Sequence, residues 1–325
     1  MFRPCHILAV TALAGCTLRH GARPVEPAPA APPAVEQHAG VEQRTIVIEN
    51  GFVSFTLEIP REPAGPKPAV IAYIDQRERL QEAGWVTVQY QVHWETLPGL
   101  APPPPPGSQA APGGQADAAA APKRTWGKWL FASPNPETVG KGYFELVDLQ
   151  SNYVIPKVID ALAHVAEVDT SRIAVVGTST SGFIALQAAK DRRIRAVVAL
   201  VATGDYPCFL ERSALAMDGE PLRLEPSYRR FLLSRDPERH PQRLVHAAVL
   251  LVNGREDLAM PFSCVEVTIA RLRSAFARAG VPERFRSVVL DEGHNLGPEA
   301  KIETMAWLYR WLEPHGGVAA RASAS

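Results

Sequence analysis

Residues 172–186, RIAVVGTSTSGFIAL, constrain this chain more than any other stretch. Ile173-Ala174-Val175-Val176 is a short apolar run rich in β-branched residues, the pattern of a strand buried on both faces. Small residues follow, and from Phe183 to Ala189 apolar positions return at helical spacing. A strand, an abrupt turn and a helix hold the turn residue on a sharp corner, where a serine can present its hydroxyl as a nucleophile. Backbones nearly touch in such a turn, so the positions two before and two after the serine must be small. Gly177 and Ser181 flank Ser179 at those distances and Gly182 follows, which gives G-x-S-x-S-G. The helix N-terminus behind Ser179 also aims free N–H groups at any negative charge that develops there. The same residues could simply cap a helix. The rest of the chain decides between the two.

Residues 45–48 and 52–59 are β-rich and alternating on either side of Glu49-Asn50-Gly51, which predicts a hairpin. Further strands are predicted at 69–74, 85–90, 194–201, 247–252 and 285–290, and helices at 76–83, 148–165, 263–279 and 298–312. Pro156 lies inside the second helix and is expected to kink or restart it. Strands alternating with helices after an antiparallel start predict an α/β fold, with a mostly parallel central sheet. Residues 97–123 are low-complexity Pro, Ala and Gly and read as a disordered insertion. Trp126, Trp129, Phe131 and Tyr143 come next and are expected to anchor that loop on the domain. Residues 203–245 are rich in Pro, Arg and aromatics without a strand pattern, and read as a helical cap over one end of the sheet.

The folded domain is thus expected to cover residues 41–314. Residues 1–15 have a basic start at Arg3 and an apolar run over 7–14 that is too short to span a bilayer, the pattern of a signal peptide. Leu13-Ala14-Gly15-Cys16 resembles the lipobox of bacterial lipoprotein signal peptides. That resemblance implies lipidation of Cys16 and an exported protein anchored to a membrane of the cell envelope. Thr17, in place of Asp, favours the outer membrane. Residues 16–40 read as a Pro/Ala-rich tether and 315–325 as a disordered tail. Cys208 and Cys264 remain in the domain, and an even pair in an oxidising compartment permits a disulfide without showing that the two meet.

The 34 basic residues balance 34 acidic ones, so no charge footprint suggests nucleic acid as a partner. The sequence holds no HExxH, no paired CxxC and no acidic calcium loop, and GTSTSG lacks the lysine and spacing of a phosphate-binding loop. No metal or other cofactor is therefore expected.

Ligands of open α/β sheets collect at the carboxyl ends of the strands. Ser179 follows the strand ending at Val176, Asp257 follows Leu251-Val252 in NGREDLAMP, and His294 follows Val289-Leu290 in DEGHN. A serine, a carboxylate and a histidine thus leave strand ends in the order Ser, Asp, His. These contexts resemble the α/β-hydrolase superfamily, nearest to dienelactone-hydrolase-like esterases and the catalytic domain of prolyl-oligopeptidase-family serine peptidases. The resemblance covers residues 45–312, and is strongest in VDTSRIAVVGTSTSG, LLVNGREDLAMPF and DEGHN.

It implies Ser179 as nucleophile, His294 as general base and then acid, and Asp257 as the group that orients the imidazole. Glu256 and Asp291 are rival carboxylates, but Asp257, two before Ala259 and four before Pro261, matches the family's acid best. His93, His164, His240 and His246 have no such context. One oxyanion donor is expected from the Thr180 backbone N–H. The second should come from the loop Tyr73-Ile74-Asp75-Gln76, through Ile74 or Asp75, although that loop lacks the usual His-Gly or Gly-Gly and so departs from the lipase subgroup. A serine esterase acting through an acyl-enzyme on a small-molecule ester is the leading expectation. A small-peptide hydrolase and a non-catalytic, membrane-tethered binding module are the alternatives.

Overall fold

The computed structural model describes residues 35–38, 40–73, 77–93, 136–213 and 225–313. Among these, nine strands make one sheet in the order β1-β2-β3-β5-β4-β6-β7-β8-β9. Strands β1 (Val35–His38), β2 (Val41–Ile48) and β3 (Val53–Pro60) are antiparallel neighbours, and β3 runs antiparallel to β5 (Val86–Val92). From β5 onward every pairing is parallel, through β4 (Lys67–Tyr73), β6 (Val168–Thr178), β7 (Ile194–Leu200), β8 (Ala248–Gly254) and β9 (Phe285–Leu290). This is the mostly parallel α/β sheet that the strand–helix alternation implies.

The β2–β3 hairpin turns through Glu49, Asn50 and Gly51, with φ of 52°, 54° and 90°. Asn and Gly tolerate that left-handed backbone best, which is why the tripeptide announces a turn. The sheet also starts earlier than the sequence suggests. β1 lies inside the segment read as a tether, paired to β2 with Val35 opposite Arg44 and His38 opposite Val41. Four residues at the end of a Pro-rich stretch carry too little pattern to announce a strand; pairing with β2 makes one.

Alternate residues of the parallel strands feed two apolar layers. On β6, Ile173 and Val175 face one layer, and Ala174 and Val176 the other. The first layer takes side chains from α2 (Pro136–Leu149), α3 (Ile155–Leu162), α4 (Thr180–Ala188) and α7 (Phe262–Arg278). The second takes them from α1 (Arg77–Glu82) and α8 (Pro298–Leu312). The helix expected over 148–165 proves longer and interrupted. α2 begins at Pro136, a π-helical turn covers Gln150–Val154, and α3 then carries Pro156 in its first turn. Pro156 has no N–H to give to the carbonyl four residues back, so the ladder widens just ahead of it.

The region expected to form a cap contains α5 (Tyr206–Arg212), α6 (Pro226–Arg235) and a 3-10 turn at Pro241–Arg243. A disulfide between Cys208 and Cys264 fastens α5 to α7. The insertion 97–123, the aromatics Trp126, Trp129 and Phe131, the tail 315–325 and the segment 1–34 lie outside the described residues. Tyr143 is buried against Phe144, Phe183 and Phe209.

Candidate active site

β6 hands the chain to α4 through a corner at Ser179, whose φ of 57° and ψ of −121° lie where few non-glycine residues go. Such a conformation costs roughly 1–3 kcal/mol and persists only where neighbours over-determine it. Here they do. A Cβ on Gly177 would stand 2.0 Å from the Ser181 carbonyl oxygen, so only glycine lets β6 pass the first turn of α4. Gly182 lies close to β7, where a Cβ would come within 2.7 Å of the Leu200 carbonyl oxygen. The Ser179 N–H donates to that same Leu200 carbonyl at 2.9 Å. Ser181 adds a clamp that glycine could not: its hydroxyl donates to the Thr178 carbonyl and accepts from the Thr178 N–H, both at 2.8 Å.

The acid and the imidazole arrive from the neighbouring strand ends. Ser179 Oγ lies 3.1 Å from His294 Nε2, and His294 Nδ1 lies 2.8 Å from Asp257 Oδ2. A carboxylate can only accept, so Nδ1 carries the proton and Nε2 is left to accept from the serine. The Asp257 carboxylate is completely buried while the imidazole is 32 % exposed. Its second oxygen accepts from the backbone N–H groups of Ala259 and Met260, at 2.8 and 2.9 Å. The rival carboxylates stand apart: Glu256 is exposed, and Asp291 pairs with Arg255 at 3.0 Å with its side chain 83 % exposed. Gly254 lets the histidine loop lie against the acid strand, since a Cβ there would come within 2.3 Å of the Glu292 carbonyl oxygen. Glu292 in turn accepts from the Gly297 N–H at 2.6 Å and ties off the loop.

Thr180 opens α4, so its N–H has no partner within the helix and is free to meet an anion beside Ser179. Its side chain is hydrogen-bonded to the hydroxyl of Tyr143, and burial holds that phenol well above the ordinary range, as a neutral group. Asp75 and Ile74, expected to supply the second donor, lie outside the described residues, as does Cys16. Of the other histidines, His93 Nε2 is 2.7 Å from Ser54 Oγ and His246 Nε2 is 3.1 Å from the Asp191 carbonyl, and neither follows one of the three strand ends.

Residues 155–318, half of the chain and the part that contains the corner, the acid loop and the histidine loop, match the sequence profile of the prolyl oligopeptidase family, peptidase family S9. The chain belongs to the prolyl oligopeptidase family. It is therefore a hydrolase on an α/β-hydrolase fold, of the kind whose members work through a serine. Solved structures share this architecture at low identity. 2,6-Dihydroxy-pseudo-oxynicotine hydrolase is 17 % identical with a TM-score of 0.52, over 84 % of this chain and 68 % of its own. The glucuronoyl esterase of Solibacter usitatus is 14 % identical with a TM-score of 0.54, over 86 % and 87 %. Porphyromonas gingivalis dipeptidyl peptidase 4 is 14 % identical with a TM-score of 0.55, but the match covers 84 % of this chain and only 35 % of the peptidase. No curated protein matches the sequence as a relative.

This family member carries supports that its sequence does not announce. The Ser181 clamp reads as a mere substitute for glycine until the Thr178 contacts are known. Tyr143 reads as a loop anchor. Gly254 sits in the acid motif itself, where a glycine straight after a buried strand is the signal of a close backbone approach.

Proposed function

We propose that the protein is a carboxylic-ester hydrolase working through an acyl-enzyme on Ser179. The observation that carries this is the chain of hydrogen bonds from Ser179 through His294 to Asp257, at 3.1 and 2.8 Å. His294 Nε2 takes the hydroxyl proton as Ser179 Oγ attacks the ester carbonyl, and returns it to the departing alkoxide. Asp257, buried and hydrogen-bonded, fixes the imidazole tautomer and stabilises the imidazolium. The Thr180 N–H receives the developing oxyanion, with Ile74 or Asp75 of the neighbouring loop as the second donor. Water, activated by the same His294, then releases the acid. The steps need no cofactor.

A second reading has a specific support: the family is one of peptidases. Under it the same residues cleave small peptides. Fluorophosphonate labelling tests the shared part of both readings. Labelling that is lost in Ser179→Ala and falls by a factor of about 10³ or more in His294→Ala supports it, a loss in line with removing one member of a triad. Well-folded protein that does not label would leave a non-catalytic binding module. Rates on acyl esters against aminoacyl amides then separate esterase from peptidase.

The Leu13–Cys16 motif supports a further proposal, that the chain is exported and anchored to the outer membrane through a lipid on Cys16, with residues up to 34 as leader and tether and the hydrolase domain following. Fatty-acid labelling in a bacterial host that vanishes in Cys16→Ser is the expected result.

A further inference from the structure

The active-site residues follow the carboxyl ends of the parallel strands. The opposite ends of β7 and β8 carry a different kind of feature. Lys190 and Arg192 lie in the turn from α4 into β7, and Gln242, Arg243, Val245 and His246 in the segment leading into β8. These six residues line a cleft of about 440 Å³. Two of them are guanidinium groups, one is an ammonium, one an imidazole, one an amide, and none is acidic.

The nearby carboxylates are held by other residues as well. Asp191 is bound by Arg193 through Nε at 3.0 Å and Nη2 at 2.6 Å. Asp148 accepts from Gln187 at 2.9 Å and pairs with Arg235 at 3.4 Å. Elsewhere in the described residues arginines commonly reach a partner, as Arg44 does to Glu42 and Glu167, Arg172 to Asp169, Arg271 to Glu238 and Arg286 to Glu303. Lys190, Arg192 and Arg243 have no side-chain hydrogen bond or ion pair among the described residues. Burial, followed by the charges of Arg235 and Arg243, pushes the half-buried Lys190 ammonium below its ordinary range, against the pull of Asp148. The cleft is thus a concave patch with an excess of positive charge, in which Asp148 acts on Lys190 and Asp191 on His246 while each is also bound by other cations.

We propose that this cleft is a binding site for a phosphate group. A carboxylate would neutralise one of the three cations. A phosphomonoester brings about −1.5 to −2 charges at neutral pH and three acceptor oxygens, a match to two guanidinium forks and an ammonium. The carbonyl end of α4 points towards this region and opposes an anion, but with only about half a charge against three whole ones. Ser179 lies at the other end of α4, whose nine residues span ~14 Å, so the site is separate from the catalytic one. The phosphate source is either a soluble phosphate compound or the headgroup of a phospholipid.

Two probes distinguish the sources: inorganic phosphate followed by titration calorimetry at low salt, and flotation with phosphatidylcholine vesicles with or without phosphatidic acid. The full chain is compared with Arg192→Gln/Arg243→Gln, and with Arg61→Gln/Arg230→Gln, which removes the same charge at exposed positions elsewhere. The expected result is saturable binding of at least one probe, weakened about tenfold or more in the first double variant and little changed in the second, the loss appropriate to a charged hydrogen bond. Binding of inorganic phosphate alone identifies a soluble source. Association that requires phosphatidic acid, without binding of free phosphate, identifies a headgroup. Failure of the wild-type chain to bind either probe overturns the proposal, and so does an equal loss in both double variants. All variants lie outside the Ser179 site, so fluorophosphonate labelling and the thermal melt read whether each is folded.

Discussion

The corner at Ser179 and the 203–245 region read as a cap are held by opposite means. The corner depends on the absence of atoms: Gly177 and Gly182 let three backbone segments approach closer than any side chain would permit. The cap depends on added links. A disulfide joins α5 to α7, the Ser213 hydroxyl donates to the Ala259 carbonyl at 2.6 Å, and Asp236 accepts from the N–H groups of Tyr206 and Glu238 at 3.3 and 2.8 Å. Tyr206 and Phe209 of α5 pack ring against ring with Phe144 and Phe183, with centroids 4.4 Å apart at the closest pair. A corner made by exclusion tolerates no substitution. A cap made by several separate links should weaken in steps.

The largest effect is therefore expected at Gly177. Alanine there places a methyl 2.0 Å from a backbone carbonyl oxygen, with no flexible side chain to move aside. Gly177→Ala should destabilise the protein by about 3 kcal/mol or more and remove fluorophosphonate labelling, measured by urea denaturation and probe reactivity. A variant of wild-type stability would show that the corner can relax, and would erase the contrast. For the cap, Cys208→Ser with Cys264→Ser should cost about 2–4 kcal/mol, because the bridge closes a loop with a sequence separation of 56. Labelling of Ser179 should survive, since neither cysteine touches the Ser179–His294–Asp257 chain. Loss of labelling in folded protein would mean that corner and cap are one unit.

That contrast also separates what was legible in the sequence from what was not. The corner could be read because steric exclusion leaves a local mark: small residues two before and two after Ser179, between a β-branched run and a helical one. Asp257 and His294 stood out for the same reason, as polar residues straight after buried strands, and the structure brings both to Ser179. Long-range links leave no such mark. Nothing near Cys208 names Cys264 as its partner, and nothing near Asp236 shows that it ends up buried beside Asp205 and Glu238. α2 was hidden because Gly140 and Gly142 depress helix propensity in a stretch that tertiary packing holds helical. β1 was hidden because an edge strand needs only a neighbour.

Asp236 makes the stability of the cap region depend on pH. Burial, with Asp205 and Glu238 adding to it, pushes its carboxyl up to about 8. In the unfolded chain it titrates near 4, so between about pH 4 and 8 the folded protein holds a proton that the unfolded chain has lost. Stability from this group is therefore greatest at the acidic end and falls as pH rises towards 8, by at most about 1.4 kcal/mol per unit. The expected result is a decline in urea midpoint from pH 5 to 8 that flattens in Asp236→Asn, with the disulfide intact in both. An equal slope in the two proteins would assign the decline to other groups.

The smallest and most discriminating test returns to the corner, through the two groups that trim it rather than build it. Ser181→Gly keeps the space that Gly177 needs and removes only the clamp on Thr178, while Tyr143→Phe removes only the hydroxyl that meets the Thr180 side chain. Each loses a single local hydrogen-bonding group, so each should cost about 1 kcal/mol in stability. Their effects on labelling should differ from that of Gly177→Ala in kind. With Thr180 as an oxyanion donor, loosening its position slows acylation by a fewfold and leaves the pH profile of labelling unchanged, since His294 and Asp257 are untouched. Fluorophosphonate rate constants across pH 5–9 read both quantities. A shift of the profile in either variant would place these residues in the proton path through His294. An unchanged rate in both would mean that Gly177 and Gly182 alone fix the corner.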